Sequence, residues 1–139
     1  MKRVLFDSNV ILDVLLAREP HVGASKAVWV AVERGNAEGM VSAHAVTTIH
    51  YILRREIGNS KAKEIISSIL KVLGVATVDN AIILDALQLP LHDFEDAVTA
   101  SSAKSAQCDL IVTRDPKGFR NSQVPSINPE ALLPLLNHS

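Results

Sequence analysis

Short apolar runs alternate along the chain with longer segments in which apolar residues recur every three or four positions. The short runs, at residues 3–6, 40–43, 75–78 and 110–112, predict strands buried on both faces, because such strands have no polar side. The longer segments predict amphipathic helices that pack against these strands. Regular alternation of strand and helix favours an α/β fold with a mainly parallel sheet and helices on both faces.

Capping residues mark where the predicted helices begin and end. Ser8 or Asn9 is expected to cap a helix over residues 10–16, and Asn59 or Ser60 a later one. The remaining predicted caps are Asp79 or Asn80, Asp93, and Asn128 with Pro129 after it. Glycines that follow periodic segments, and so predict their ends, are Gly35, Gly58 and Gly74. An edge strand is expected near residues 124–127.

The stretch 93–115 combines a helix start, a run of small residues and a strand. Asp93 is predicted to be the N-cap, with Asp96 in the first turn, where unpaired amides and the helix dipole favour carboxylates. Asp115 follows the late apolar strand, and Asp7 follows the first one. Because the carboxyl ends of parallel strands share one edge of the sheet, where open α/β sheets bind ligands, we expect these acids to meet in one crevice.

Carboxylates that converge in this way repel one another unless they bind a cation or their pKa values rise. A shell of oxygen ligands selects Mg²⁺ or Mn²⁺ over zinc, and such ions promote attack of water on phosphodiesters. Asp7, Asp96 and Asp115 are therefore candidate catalytic residues and metal ligands, with Asp93 as a further ligand. Taken singly, each acid is better explained as a cap or turn residue, and it is the joint placement of Asp7, Asp96 and Asp115 that favours a functional site. Glu95 is expected to face solvent or form a salt bridge, since it lies about 100° around the helix from Asp96.

Basic residues cluster beside Asp115, at Arg114, Lys117 and Arg120. Two interpretations stay open for them, a solvated loop and a loop that binds substrate phosphates. The net charge of −1 neither indicates nor excludes a nucleic-acid partner, because a local basic patch would suffice.

Composition adds bounds on the class of protein. With 139 residues, 47% of them hydrophobic, a single domain over 1–139 with a substantial core is expected. The single cysteine excludes a disulfide framework and fits a reducing cytoplasm. Polar residues after Phe6 interrupt the first apolar run, so we expect neither export nor a membrane span. Of the histidines, only His92 is expected near the acids, and Trp29 and Tyr51 are expected to be core-facing or half-buried.

Three motifs carry a resemblance to a known family. Residues 5–12 read LFDSNVIL, residues 93–97 read DFEDA, and residues 113–115 read TRD, with Phe119 behind them. In order and spacing they resemble the PIN domain, most closely the VapC-type toxin ribonucleases of bacteria and archaea. The resemblance covers the whole chain.

The resemblance implies a three-layer α/β/α fold with a central, mainly parallel sheet of four to five strands. It also implies a Mg²⁺- or Mn²⁺-dependent endoribonuclease, the toxin of a toxin–antitoxin pair, whose metal-binding acids are Asp7, Asp96 and Asp115 with Asp93 as an additional one. RNA as substrate, a small antitoxin partner and a homodimer follow from the same resemblance. The candidate substrate-binding residues are Asn9, Thr48, Thr113, Arg114 and Lys117.

One departure from the family pattern is Thr48, which stands where members usually carry a glutamate. A PIN-like module that binds RNA or an antitoxin but cuts poorly is therefore an alternative. A third possibility is a phosphoryl-transfer domain of another doubly wound family. It is disfavoured because Asn9 stands where a second nucleophile-loop aspartate would be expected, and Arg114 where a receiver domain would have lysine.

Overall fold

The computed structural model describes residues 1–136, so the last three residues of the predicted domain 1–139 lie outside the described part. Five parallel strands form one sheet in the order β3-β2-β1-β4-β5. Their bounds are β1 Arg3–Phe6, β2 Glu38–Ser42, β3 Gly74–Ala76, β4 Leu110–Val112 and β5 Ser126–Ile127.

Seven α-helices and one short 3-10 helix connect or follow the strands within residues 1–136. Their bounds are α1 Ser8–Leu15, α2 Val22–Glu33, α3 Ala43–Ile57, α4 Asn59–Ile69, α5 Asn80–Ala86, α6 Phe94–Ser105, the 3-10 helix Pro116–Phe119, and α7 Pro129–Leu136. No described helix combines the length and the apolar character needed to cross a membrane.

The sheet separates two layers of helices. Alternate residues of β1 point to opposite faces, so Val4 and Phe6 pack with α1, α2, α3, α4 and α7, whereas Leu5 packs with α6. Helix α5 is packed on α6, around Ile82 and Ala97. The predicted three-layer α/β/α architecture with a five-stranded parallel sheet is thereby confirmed.

Two predicted N-caps are wrong, each for a local reason. Helix α1 begins at Ser8 with Asp7 as its cap, because Asp7 has extended backbone (φ −67°, ψ 148°) and its side chain accepts from the Ser8 amide. Helix α4 is preceded by Gly58, which also ends α3 with φ +88°. With one glycine serving both helices, the chain has no separate position for a polar cap at residue 59 or 60.

The other predicted N-caps are confirmed, whereas the helix end predicted at Gly74 is wrong, because α4 ends at Ile69 and Gly74 is the first residue of β3. The side chains of Asp79, Asp93 and Asn128 each accept from an amide three residues ahead, at 3.0, 2.9 and 2.8 Å. Trp29 is half-buried and meets Phe6 edge-on, with ring centroids 6.0 Å apart. Tyr51 is the more open of the two predicted aromatics, since half of its surface is exposed.

Candidate active site

The pairing of β1 with β4 fixes the first candidate ligand. Phe6 lies opposite Val112, and the Asp7 amide donates to the Val112 carbonyl at 2.9 Å. Thr113 donates its hydroxyl to Asp7 Oδ2 at 2.8 Å, and the Ser8 amide donates to Asp7 Oδ1 at 2.9 Å. The carboxylate of Asp7 is therefore held by a hydrogen bond to each oxygen.

Thr113 also organises the turn after β4. Its hydroxyl oxygen accepts from the Asp115 amide at 3.2 Å, while its own proton is donated to Asp7. Thr113 is fully buried, so a substrate has no access to it. The structure thus gives Thr113 a positioning role between two acids, which corrects its prediction as a substrate-binding residue.

Helix α6 brings the remaining acids. Asp93 caps the helix by accepting from the Asp96 amide, and the Asp96 side chain lies against the turn after β4. There the α-carbon of Gly118 faces it: a Cβ added at Gly118 would lie 2.8 Å from Asp96 Oδ2 and 3.8 Å from Asp115 Oδ2. Acids from α6 and from the end of β4 therefore flank the same glycine. In the sequence, the only signal that Gly118 belongs to the site is that it follows Asp115 by three residues.

The electrostatics follow from this convergence. Burial raises the pKa of Asp96 to about 7, and the neighbouring carboxylates of Asp7, Asp93, Glu95 and Asp115 add to the rise. Burial also raises the pKa of Asp7, against the opposing hydrogen bonds from Thr113 and Ser8. The site is thus short of positive charge, as its acid content predicts.

Glu95 and His44 are two further groups at the site. Glu95 lies close enough to raise the pKa values of Asp7 and Asp96, and no described cation forms a salt bridge with it. His44 Nε2 lies 3.4 Å from the Thr99 hydroxyl, which donates to the Glu95 carbonyl at 3.0 Å. His44, and not the predicted His92, is therefore the histidine beside the acids, and burial lowers its pKa.

Thr48, at the departure from the family pattern, lies one turn after His44 on α3. Its hydroxyl is 3.5 Å from the His44 carbonyl, so it is directed back along its own helix. The i, i+4 spacing of these two residues is the sequence signal that would have drawn attention to His44.

Arg114 has a buried partner. Its Nε lies 2.7 Å from Oδ2 of Asp13, a fully buried residue of α1, and Arg18 Nη1 approaches Asp13 Oδ1 at 3.9 Å. The short contact is an ion pair that is not aligned as a hydrogen bond. Arg114 therefore ties the turn after β4 to α1, while its side chain stays 32% exposed and its binding of phosphate stays a prediction. Lys117 and Arg120 are exposed, without a salt bridge to any described residue.

Asn9 lies in the first turn of α1, immediately after the strand end that bears Asp7. Its Oδ1 atom is buried and lacks a hydrogen-bond partner within residues 1–136.

The residues present fit a hard divalent cation. Asp7, Asp96 and Asp115 supply only oxygen donors, and the bare α-carbon of Gly118 leaves room between two of them that a side chain would fill. Across residues 1–136, no three His, Cys, Asp or Glu side chains already stand in a metal-coordinating arrangement. Without a cation the carboxylates repel one another and stay apart, so they would have to move together to bind an ion.

Comparison with known proteins agrees with the resemblance that the sequence motifs carry. A family model of the PIN domain matches residues 3–117. Ribonuclease VapC1 of Aquifex aeolicus (strain VF5) is 27% identical over 135 residues, which are 93% of this chain and 92% of that protein. The structure is also similar to DNA-bound VapBC from Salmonella typhimurium, with TM-score 0.69 and 14% identity over 93% of this chain and 99% of that one.

A further similar structure is Mycobacterium tuberculosis VapC20, described as a sarcin-ricin loop cleaving toxin. It has TM-score 0.62 and 16% identity over 78% of this chain and 86% of that one. At these identities the solved structures establish the fold, whereas the family match extends from β1 through the turn after β4. On that match, this chain is a member of the PIN domain family.

Proposed function

We propose that this PIN domain protein is a Mg²⁺- or Mn²⁺-dependent endoribonuclease and the toxin of a toxin–antitoxin pair. The observation that supports this most is the approach of Asp96 and Asp115 to the same glycine, Gly118. Asp7 lies close enough to raise the pKa of Asp96, and no described cation forms a salt bridge with any of the three acids. The names of two similar proteins, a ribonuclease and a sarcin-ricin loop cleaving toxin, favour RNA as the substrate.

The acids of the proposed site would bind the metal ion together. Asp7, Asp96 and Asp115 would hold the ion, with Asp93 as a further ligand. Bound there, Mg²⁺ or Mn²⁺ would neutralise charge on the scissile phosphate and lower the pKa of an attacking water molecule. Asp7 keeps a fixed orientation because Thr113 and Ser8 each donate to it. Asp96, with its pKa raised to about 7, carries a proton in part of the metal-free molecules at neutral pH.

Substrate contacts are assigned to groups around these acids. Lys117 is exposed on the 3-10 helix beside Asp115, where its ammonium would bind an RNA phosphate. Asn9 and Thr48 are further candidate contacts, because one follows Asp7 by two residues and the other lies a turn beyond His44. Arg114 would act indirectly, by holding the turn that bears Asp115 through its ion pair with Asp13.

The proposed partner is a small antitoxin, and the proposed assembly is a homodimer in the cytoplasm. Support for the antitoxin comes from the similar structures, several of which are VapBC or FitAB complexes bound to DNA. Co-expression with the gene product encoded beside this one, followed by light scattering of the purified complex, would test the partner and the assembly together.

The test of the activity is cleavage of a 5′-labelled RNA under Mg²⁺, Mn²⁺ or EDTA by the parent and by Asp115→Asn. We expect cleavage by the parent only with a divalent ion, and a loss on the order of a thousandfold in the variant, because a direct ligand is removed. Glu64→Gln, which neutralises an exposed acid of α4, is the matched control and should cut as the parent does. Equal rates for Asp115→Asn and the parent would refute the assignment.

A second candidate is a PIN domain that binds RNA or an antitoxin and cuts poorly. It is favoured by Thr48, whose hydroxyl points to the His44 carbonyl and supplies no charge to the acids. Divalent-independent RNA binding without cleavage by the parent protein would select this candidate.

A further inference from the structure

Helix α3 carries a polar stripe that begins beside the acids and runs outwards. His44, Thr48, Tyr51 and Arg55 follow one another at spacings of four, three and four residues, which places them on one face of the helix. His44 and Thr48 are half-buried, whereas Tyr51 is 50% exposed and Arg55 is exposed. The core of the protein takes the opposite side, through Ala45, Ile49 and Leu53. We call these four residues together with Arg54 the α3 stripe.

The outer end of the α3 stripe is an exposed aromatic ring with two cations beside it. The guanidinium carbon of Arg54 lies 5.3 Å from the centroid of the Tyr51 ring, and that of Arg55 lies 5.8 Å from it. Neither arginine forms a salt bridge with a described residue. The helix dipole favours arginines in the C-terminal turn of α3, but it does not explain why an exposed tyrosine lies beside them.

The inner end of the α3 stripe is continuous with the acid site. His44 Nε2 contacts the Thr99 hydroxyl at 3.4 Å, and Thr99 is bonded to Glu95, which shares the first turn of α6 with Asp96. At about 1.5 Å per residue, Tyr51 lies roughly 10 Å further along the axis of α3 than His44. An extended strand that reaches the acids along this face would therefore pass the tyrosine and both arginines.

The negative charge of the acid site means that a substrate strand needs positive charge along its path. The acids repel an incoming phosphate backbone, so a substrate strand needs cations close to the site to offset that repulsion. Proteins that bind single-stranded RNA combine such cations with aromatic rings on which unpaired bases stack. Tyr51, Arg54 and Arg55 supply both elements within about one turn of α3.

We infer that the α3 stripe is a binding track for single-stranded RNA, in which an unpaired base stacks on Tyr51 and flanking phosphates bind Arg54 and Arg55. The inference rests on the proposed ribonuclease function, whose substrate class it specifies. Base stacking on one aromatic ring tolerates any base, so this track sets the position of the strand and not its sequence.

The test is binding of a fluorescein-labelled single-stranded RNA in EDTA, measured by fluorescence anisotropy at salt concentrations from about 50 to about 300 mM. We expect Tyr51→Ala to weaken binding about tenfold and Tyr51→Phe, which keeps the ring, to stay near the parent. Arg54→Ala/Arg55→Ala should lower the salt slope by about 1.4, since each phosphate contact on a single strand contributes about 0.7. Lys26→Ala/Arg34→Ala removes the same charge from two exposed positions, one on α2 and one immediately after it, and is the control.

Unchanged affinity and salt slope in the α3 variants, in a parent that binds and cuts RNA, would overturn the track and leave the ribonuclease proposal standing. A parent that neither binds nor cuts RNA would overturn both. Light scattering on the same samples tests whether a second copy of the chain, and not RNA, covers the α3 stripe. If Tyr51→Ala dissociates a dimer without changing RNA binding, the α3 stripe is a contact between copies and the inference fails.

Discussion

The buried carboxylate of Asp13 on α1 holds the guanidinium of Arg114, the residue between Thr113 and Asp115, at 2.7 Å. This ion pair joins the helix after β1 to the turn after β4, so the two chain segments that bear Asp7 and Asp115 are fixed to each other. Neither Asp13 nor Arg114 is among the groups that shift the pKa values of Asp7 and Asp96, so the pair links the two segments without setting the charge balance of the acids.

Arg114→Ala should therefore act on stability. It leaves the Asp13 charge buried without its closer partner, which costs about 2–3 kcal/mol of unfolding free energy when allowance is made for the 32% exposure of the Arg114 side chain. Urea denaturation measures this loss. The double variant Asp13→Asn/Arg114→Ala removes both charges and should recover part of it. A loss equal to the sum of the losses in Asp13→Asn and Arg114→Ala would show that the pair is not coupled.

Gly118→Ala should disturb the acids directly. The added methyl group would stand 2.8 Å from Asp96 Oδ2, so the carboxylate has to move, and a displacement of about 1 Å at a reaction site can cost on the order of a hundredfold in rate. Cleavage rate and Mn²⁺ affinity are the two measurements. Gly23→Ala on α2, where a Cβ meets nothing within 4 Å, is the control and should stabilise the protein slightly. Parent-like metal affinity in Gly118→Ala would place the ion elsewhere.

The raised pKa of Asp96 predicts how stability changes with pH. Between its ordinary value of 3.8 and about 7, the folded metal-free protein keeps a proton that the unfolded chain has released. The free energy of unfolding therefore falls as pH rises through this window, and the loss is complete above about pH 7. Asp96→Asn removes this term, so the variant should become more stable than the parent by about 1–2 kcal/mol at pH 8, after discounting for solvent screening, and equal to it near pH 4. Thermal melts in EDTA across this range measure it, and parallel pH profiles of the two proteins would contradict the prediction.

Much of this arrangement could be predicted from sequence, because it depends on local signals. Uninterrupted apolar runs predicted the strands, and the Asp93 cap followed from its place before α6. The convergence of acids at one sheet edge needed only the rule for parallel strands. Gly118 and the Asp13–Arg114 pair could not be predicted in this way, since each depends on contacts between segments far apart in the chain. The roles of Thr113 and His44 likewise depend on which side chains face each other across β1, β4, α3 and α6.

Thr48 tests the departure from the family pattern. Thr48→Glu places a carboxylate one turn beyond His44, on the side of α3 that begins at the acids, and should tighten Mg²⁺ binding by adding a charged oxygen ligand. The same change should lower the melting temperature of the metal-free protein by adding negative charge to an acidic cluster. Thr48→Ala loses only a long contact of 3.5 Å to the His44 carbonyl and should bind Mg²⁺ as the parent does. Identical affinity in all three proteins would show that residue 48 does not reach the ion.

Calorimetric titration of Mn²⁺ at pH 7, in two buffers of different ionisation enthalpy, tests the proposed metal site most directly. The parent and Glu64→Gln should show saturable binding with proton release, because a bound ion displaces the proton that Asp96 partly retains at this pH. Asp96→Asn should bind at least about tenfold more weakly and release less proton, since it lacks both the charge and the titrating group. Equal affinity and equal proton release in all three proteins would contradict a divalent-cation site at Asp7, Asp96 and Asp115.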